Sequence, residues 1–168
     1  MAKATEIAKT ENTSIVAADE AAYEADRQFF NDLAMAGEGI VDVVPPTVDA
    51  MQGAMSEDML ANALMNGKSL NEARRETKNG EFTAEIIGIA VSRGQVEDTL
   101  TKRLRDAVIT CFITSEGEGL VSASAIVYKA VLNMLRAKGR PSSWKAPVRL
   151  SFSKVERGAK QLNIIKIV

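Results

Sequence analysis

The chain has 168 residues, of which 46% are apolar and 26% charged, with a formal net charge of −1. That balance is ordinary for a globular protein of one domain, with or without an extension, and leaves enough apolar surface for a core without staples. Histidine is absent and cysteine occurs once, as Cys111, which excludes His-based triads, an internal disulfide and a CxxC metal pair.

Charge is unevenly placed. Residues 1–80 carry seven Lys/Arg and fourteen Asp/Glu, for a net of −7, whereas residues 81–168 carry fourteen and eight, for a net of +6. A basic half suits a polyanion, and an acidic half is either a solvated helical module or a cover for the basic face. Internal pairing or chance segregation accounts for the same split.

Residues 1–16 are polar and aperiodic at the start and read as a disordered tail without a secretory pattern. No apolar run reaches the ~20 residues of a membrane span, so the expectation is a soluble, cytoplasmic protein with no membrane partner. Residues 17–80 read as an acidic helical extension. Asp19 caps a helix over 19–36, with Ala22, Tyr23, Phe29, Phe30 and Leu33 on one stripe and Gly37 at its end. That stripe needs a partner surface, which predicts docking or a homo-oligomer. Gly39 to Val44 is β-branched but runs into Pro45 and Pro46, so it is an edge strand at most. Residues 47–55 fit no single pattern. Ser56 then starts a second helix with Met59, Leu60, Ala63 and Leu64 on its apolar face, closed by Asn66-Gly67. Ser69 and Glu72 form a capping box for a third helix, Leu70 to Thr77, and Asn79-Gly80 is a turn.

From residue 81 the pattern becomes β. Phe82 to Val91 is a strand, in which Gly88 predicts a bulge or sharp bend. Residues 92–106 are polar and read as a long loop or short helix. Ala107 to Ser115 is a second strand, in which Cys111 is a small buried hydrophobe. A turn at Glu116–Gly119 leads to a third strand, Leu120 to about Ile126. Val127–Lys138 is helical, with Val131, Leu132 and Leu135 on one face, and Gly139-Arg-Pro-Ser-Ser breaks it. Val148, Leu150 and Phe152 alternate with Arg149, Ser151 and Ser153 in a fourth strand. A turn near Glu156 returns the chain into a fifth, Gln161 to Val168. The predicted class is therefore α+β or mainly β: a five-stranded barrel with a helix between its third and fourth strands, preceded by the helical extension.

Little here points to catalysis. Carboxylates are scattered without a paired arrangement in an apolar setting. Asn66-Gly-Lys-Ser69 contains the Gly-Lys-Ser of a phosphate loop, but the earlier glycine is replaced by Asn62 and the run follows a helix. Gly117-Glu-Gly119 is better read as a hairpin turn. The expectation is a binding protein, not an enzyme, with no catalytic residue, metal or cofactor.

The cations are better organised. Arg93, Lys102, Arg103 and Arg105 fall in the connection between the first two strands, and Arg157 and Lys160 in the connection between the last two. Arg136, Lys138, Arg140, Trp144 and Lys145 lie on the approach to the fourth strand, from which Arg149 faces outward. Phe112, Tyr128 and Trp144 are candidate stacking rings, each with a core position as the competing reading. In element order and loop charge, residues 81–168 resemble the OB-fold of single-stranded DNA-binding proteins. The acidic helical segment ahead and the apolar final run, Ile164-Ile-Lys-Ile-Val168, resemble a divergent phage- or plasmid-type member more than the bacterial housekeeping type. The resemblance implies a Greek-key barrel whose ligand lies on the second and third strands, between the one–two and four–five loops. It also implies sequence-nonspecific coating of single-stranded DNA, or RNA, in replication or recombination. Phosphates would meet Arg93, Lys102, Arg103, Arg105, Arg140, Lys145 and Arg149, and bases would stack on Trp144, Phe112 or Tyr128. The alternative expectation is an oligomeric structural or adaptor protein, such as a viral assembly component, acting through the stripes at Tyr23–Leu33 and Met59–Leu64.

Overall fold

In the computed structural model the described residues are 47–98, 101–158 and 160–168, with positions 24, 27, 28 and 31. Glu24, Arg27, Gln28 and Asn31 are helical, and Arg27 pairs with Glu24 one turn away at 2.7 Å. The rest of the 19–36 helix, the tail and the 39–44 strand lie outside the described residues.

The chain then builds β1 (Thr47–Ala50), α1 (Glu57–Met65), β2 (Lys68–Ser69) and α2 (Leu70–Arg75). There follow β3 (Phe82–Glu97), β4 (Leu104–Thr114), β5 (Gly119–Ser122), α3 (Ala125–Lys138), a 3-10 turn (Pro141–Ser143), β6 (Val148–Arg157) and β7 (Lys160–Ile167). Local chemistry sets the helix starts as expected. The Ser56 hydroxyl accepts from the Met59 N–H at 3.2 Å, and Ser69 and Glu72 complete the capping box of α2. All strands join one curled, mixed sheet in the order β2-β5-β4-β3-β6-β7, with β1 added alongside β3. The fold is thus mainly β with a few helices. The β2–β5 pair is parallel and the other pairs are antiparallel.

β3 is the spine. One edge pairs with β4 throughout Ile86–Glu97. The other pairs with β6 over Phe82–Ile86 and then with β1 over Gly88–Val91. The handover falls on a register shift between Ile86 and Gly88, the irregularity predicted at Gly88. A Cβ on Gly88 would stand 2.9 Å from the Ala50 Cβ and 3.1 Å from the Asp49 carbonyl oxygen, so β1 can reach the sheet only because that position has no side chain.

Every residue from Ile86 to Val91 is buried, because both faces of the sheet are covered. On the inner face Ile86, Ile89, Phe112, Leu150 and Phe152 pack on Val127, Val131 and Leu135 of α3. Phe152 meets Phe82 in a stack at 4.9 Å and Phe112 edge-on at 5.3 Å. On the outer face Ile87, Ala90, Cys111 and Ile113 pack on Ala63, with Leu60 and Leu64 of α1 alongside. Residues 47–80, grouped by their charge with the N-terminal extension, therefore supply two strands and a covering helix to the sheet.

The polar stretch 92–106 departs from its expectation. It is neither a loop nor a helix but the distal half of a β3–β4 hairpin, paired from Ser92↔Ile109 to Glu97↔Leu104. Polar residues form this ribbon because it projects past the helices and needs no buried face. Lys102 turns it with a left-handed backbone, φ +57°, and Asp98 accepts from the Thr101 N–H at 2.9 Å. The third strand stops at Ser122, and the following helix starts two residues earlier than its apolar face suggests, at Ala125.

Candidate nucleic-acid interface

Among the described residues, no ladder joins β5 to β7. An open cleft of about 1010 Å³ is lined by α2 and the turn after it, the first residues of β4, the β5–α3 junction and the β6–β7 hairpin. Five cations line it: Arg74, Arg75, Lys78, Arg105 and Lys154. No Asp or Glu is among its lining residues. A concave surface of one sign, with low-dielectric walls, concentrates counter-ions of the other sign.

Arg74 is the unusual member. It is only 6% exposed. Its Nη2 donates to Asn71 Oδ1 at 2.6 Å, while its Nε has no hydrogen-bond partner. Burial first, and the neighbouring Arg75 second, lower its pKa, with no carboxylate opposing them. Such a guanidinium is expensive to hold without an anion. The Thr77 hydroxyl donates to the Arg74 carbonyl at 2.9 Å, and Arg75 Nε donates to the Asn71 carbonyl at 3.3 Å, so this end of α2 is tied down. Across the cleft, Asn163 has an unpartnered buried Oδ1; rotation of its amide by half a turn puts a donor in the same place.

The second wall is the start of α3. Ser122, Ala123 and Ser124 line the cleft. Ser124 occupies the N-cap position, but its side chain makes no capping bond, and the first turn of the helix contains no acidic residue.

The residues predicted from sequence are spread over four places. Arg105 lines the cleft. Arg93, Lys102 and Arg103 stand on the β3–β4 hairpin, where carboxylates temper two of them: Arg93 is 3.9 Å from Asp106 and Lys102 is 3.7 Å from Glu97. Arg149 lines a different cleft of about 620 Å³, in company with Glu76, Glu85, Glu116 and Glu118. Lys145 is exposed just after the 3-10 turn. Arg140 is engaged structurally by Asp49 at 2.9 Å.

The aromatic candidates are turned to the core. Phe112 is fully buried, 0% exposed, so it has no face to offer a base and its assignment as a stacking ring is corrected. The reason is register: Phe112 lies opposite Ile89 and Leu120, on the face that α3 covers. Trp144 is half-buried against the same core, with its indole N–H donating to the Gly139 carbonyl at 2.9 Å. Tyr128 is half-buried on α3, and burial raises its phenol pKa.

Arg74, Arg75, Lys78 and Lys154 were not among the predicted site residues. One sequence signal marks the first three: with Lys68 they are four of the seven cations of residues 1–80, gathered into eleven positions; no such signal marks Lys154.

No described helix is long and apolar enough to cross a membrane. Among the described residues no group of three or more His, Cys, Asp or Glu could hold a metal ion. No protein-family model matches the chain, and no curated protein and no solved structure matches it.

Proposed function

We propose that the protein binds single-stranded nucleic acid, DNA in the first instance, without strong sequence preference and without doing chemistry on it. The observation that carries this reading is the cleft between β5 and β7, with five cations and no carboxylate in its lining. The order β5-β4-β3-β6-β7, with α3 joining β5 to β6, supports an OB-like barrel left open between its third and fifth strands. The two hairpins that correspond to the binding loops of such a barrel both reach the cleft, through Arg105 on one side and Lys154 on the other. The outer face of β4 and β5, where that fold usually takes its ligand, is covered by α1, so the ligand is assigned to the open seam instead. No aromatic ring lines the cleft. Recognition through phosphates alone carries no base information, in keeping with sequence independence.

The test is an electrophoretic shift with single- and double-stranded DNA of equal length at two salt concentrations. The expected result is preferential retention of the single strand, with affinity falling steeply as salt rises, because each neutralised phosphate releases ~0.7 counterion. Replacing Arg75, Lys78 and Lys154 together with alanine should abolish the shift while the melting transition persists. Affinity that is flat with salt, or unchanged in the triple variant, rejects the reading.

A further inference from the structure

We infer that the cleft contains one discrete phosphate seat, formed by the N-terminus of α3 on one wall and the buried guanidinium of Arg74 on the other. The inference rests on the reading of the cleft as a polyanion site and adds which phosphate contact dominates it.

Two independent features converge there. The first four N–H groups of any α-helix lack helical partners and carry the positive end of its dipole. α3 is 14 residues long, its N-cap Ser124 makes no side-chain capping bond, and no acidic residue sits in its first turn. Ser124 lines the cleft, which brings the N-terminal end of α3 to its wall; the Ser124 N–H itself donates to Ser122 Oγ at 3.2 Å. By contrast, α1 and α2 each have a bonded Ser cap and acidic residues in the first turn. The second feature is Arg74, 6% exposed, with an unpartnered Nε and a place in the same cleft lining. Helix N–H groups and a guanidinium fork are the two protein groups best matched to phosphate oxygens. Asn71 Oδ1 holds Arg74 Nη2 at 2.6 Å but leaves Nε without a partner, no side chain caps the first turn of α3, and Arg74 and Ser124 line one cavity. The more exposed Arg75, Lys78, Arg105 and Lys154 then line the path of the strand on either side of the seat.

The same chemistry takes a phosphodiester within a strand or a free phosphate group, and the experiment separates them. The full chain is titrated with oligo(dT) lacking terminal phosphates and, separately, with inorganic phosphate, while the amide resonances of Ser124, Ala125, Ile126 and Val127 are followed by NMR. The oligonucleotide should move these resonances. Arg74→Gln, which retains a side-chain donor, should weaken oligo(dT) binding about tenfold and reduce the log–log salt slope by ~0.7, the value of one single-strand phosphate contact. Ser124→Asp places a carboxylate at the N-cap, which favours the helix and keeps the fold intact. It should nonetheless weaken oligo(dT) at least tenfold by filling the seat. Oligo(dT) binding that neither variant changes overturns the seat and leaves the nucleic-acid reading standing. Resonance shifts with inorganic phosphate but no binding of oligo(dT) keep the seat, as a site for a free phosphate group, and overturn the nucleic-acid reading. No response to either ligand overturns both.

Discussion

Asp49 on β1 accepts from Arg140 Nη2 at 2.9 Å and from the backbone N–H of Ser142 at 2.8 Å. These residues are 91 and 93 positions apart in sequence. Asp49 is 8% exposed, so its charge depends on both donors. Asp49→Ala should destabilise the protein by about 2–4 kcal/mol, because truncating one partner of a buried pair leaves the other desolvated. Urea denaturation measures this. A change below about 0.5 kcal/mol would show that β1 contributes nothing to the cooperative unit.

Gly119 pairs with Ile113 at the start of β5 and lies directly under α1. A Cβ there would overlap the Ala63 carbonyl oxygen, a backbone atom that cannot swing away. Gly119→Ala should therefore cost about 1–3 kcal/mol, in the range of overpacked cores. It should also expose α1 to limited proteolysis before the sheet is cut. Equal protection of α1 in the variant and the parent would contradict this.

Arg74→Met should raise stability by about 1 kcal/mol in a buffer free of multivalent anions, since it removes a buried charge that no carboxylate offsets. Thermal melts of variant and parent make the comparison. If the two are equal or the variant is lower, the bond from Arg74 to Asn71 Oδ1 outweighs the desolvation of the guanidinium. Gain of stability with loss of binding is the pattern of a residue kept for its ligand.

Cys111 is 6% exposed, and burial pushes its thiol up to about 11 from a usual 9. A thiol protonated at neutral pH is a poor nucleophile, so iodoacetamide should label it at pH 7.5 only after denaturation. The folded state keeps the proton to higher pH than the unfolded chain does. Stability from this group is therefore complete below pH ~9 and declines as pH rises toward 11, by ~2–3 kcal/mol in total. Cys111→Ala should flatten that part of the stability–pH curve relative to the parent. Parallel curves for the two proteins would assign the alkaline loss to other groups.

Much of the sheet was legible because its signals are local. The alternation Val148, Leu150, Phe152 depends on period two alone, and the Ser69–Glu72 box on four neighbouring residues. The β3–β4 hairpin beyond Ser92 was not, since a solvated ribbon has no buried face to impose a pattern. β1 and β2 were hidden for another reason: four and two residues long, they exist only through partners far along the chain. The cleft between β5 and β7 was hidden by a single boundary. A cut at residue 80 assigned Arg74, Arg75 and Lys78 to an acidic half, while the sheet carries them across to Arg105 and Lys154. Phe112 looked like a stacking ring because its class is right; its register, which decides inside from outside, is a tertiary fact.

The pairing of β3 has a consequence for how the chain is made. Ile86 finds its β6 partner in Val148, 62 residues later. At a synthesis rate of about 5–20 residues per second, the stretch Phe82–Ile86 waits several seconds for that partner. β1, emerging earlier, can sit on Gly88–Val91 as soon as β3 appears. The four residues Thr47–Ala50 can thus cover the Gly88–Val91 stretch of this apolar strand before β6 is made.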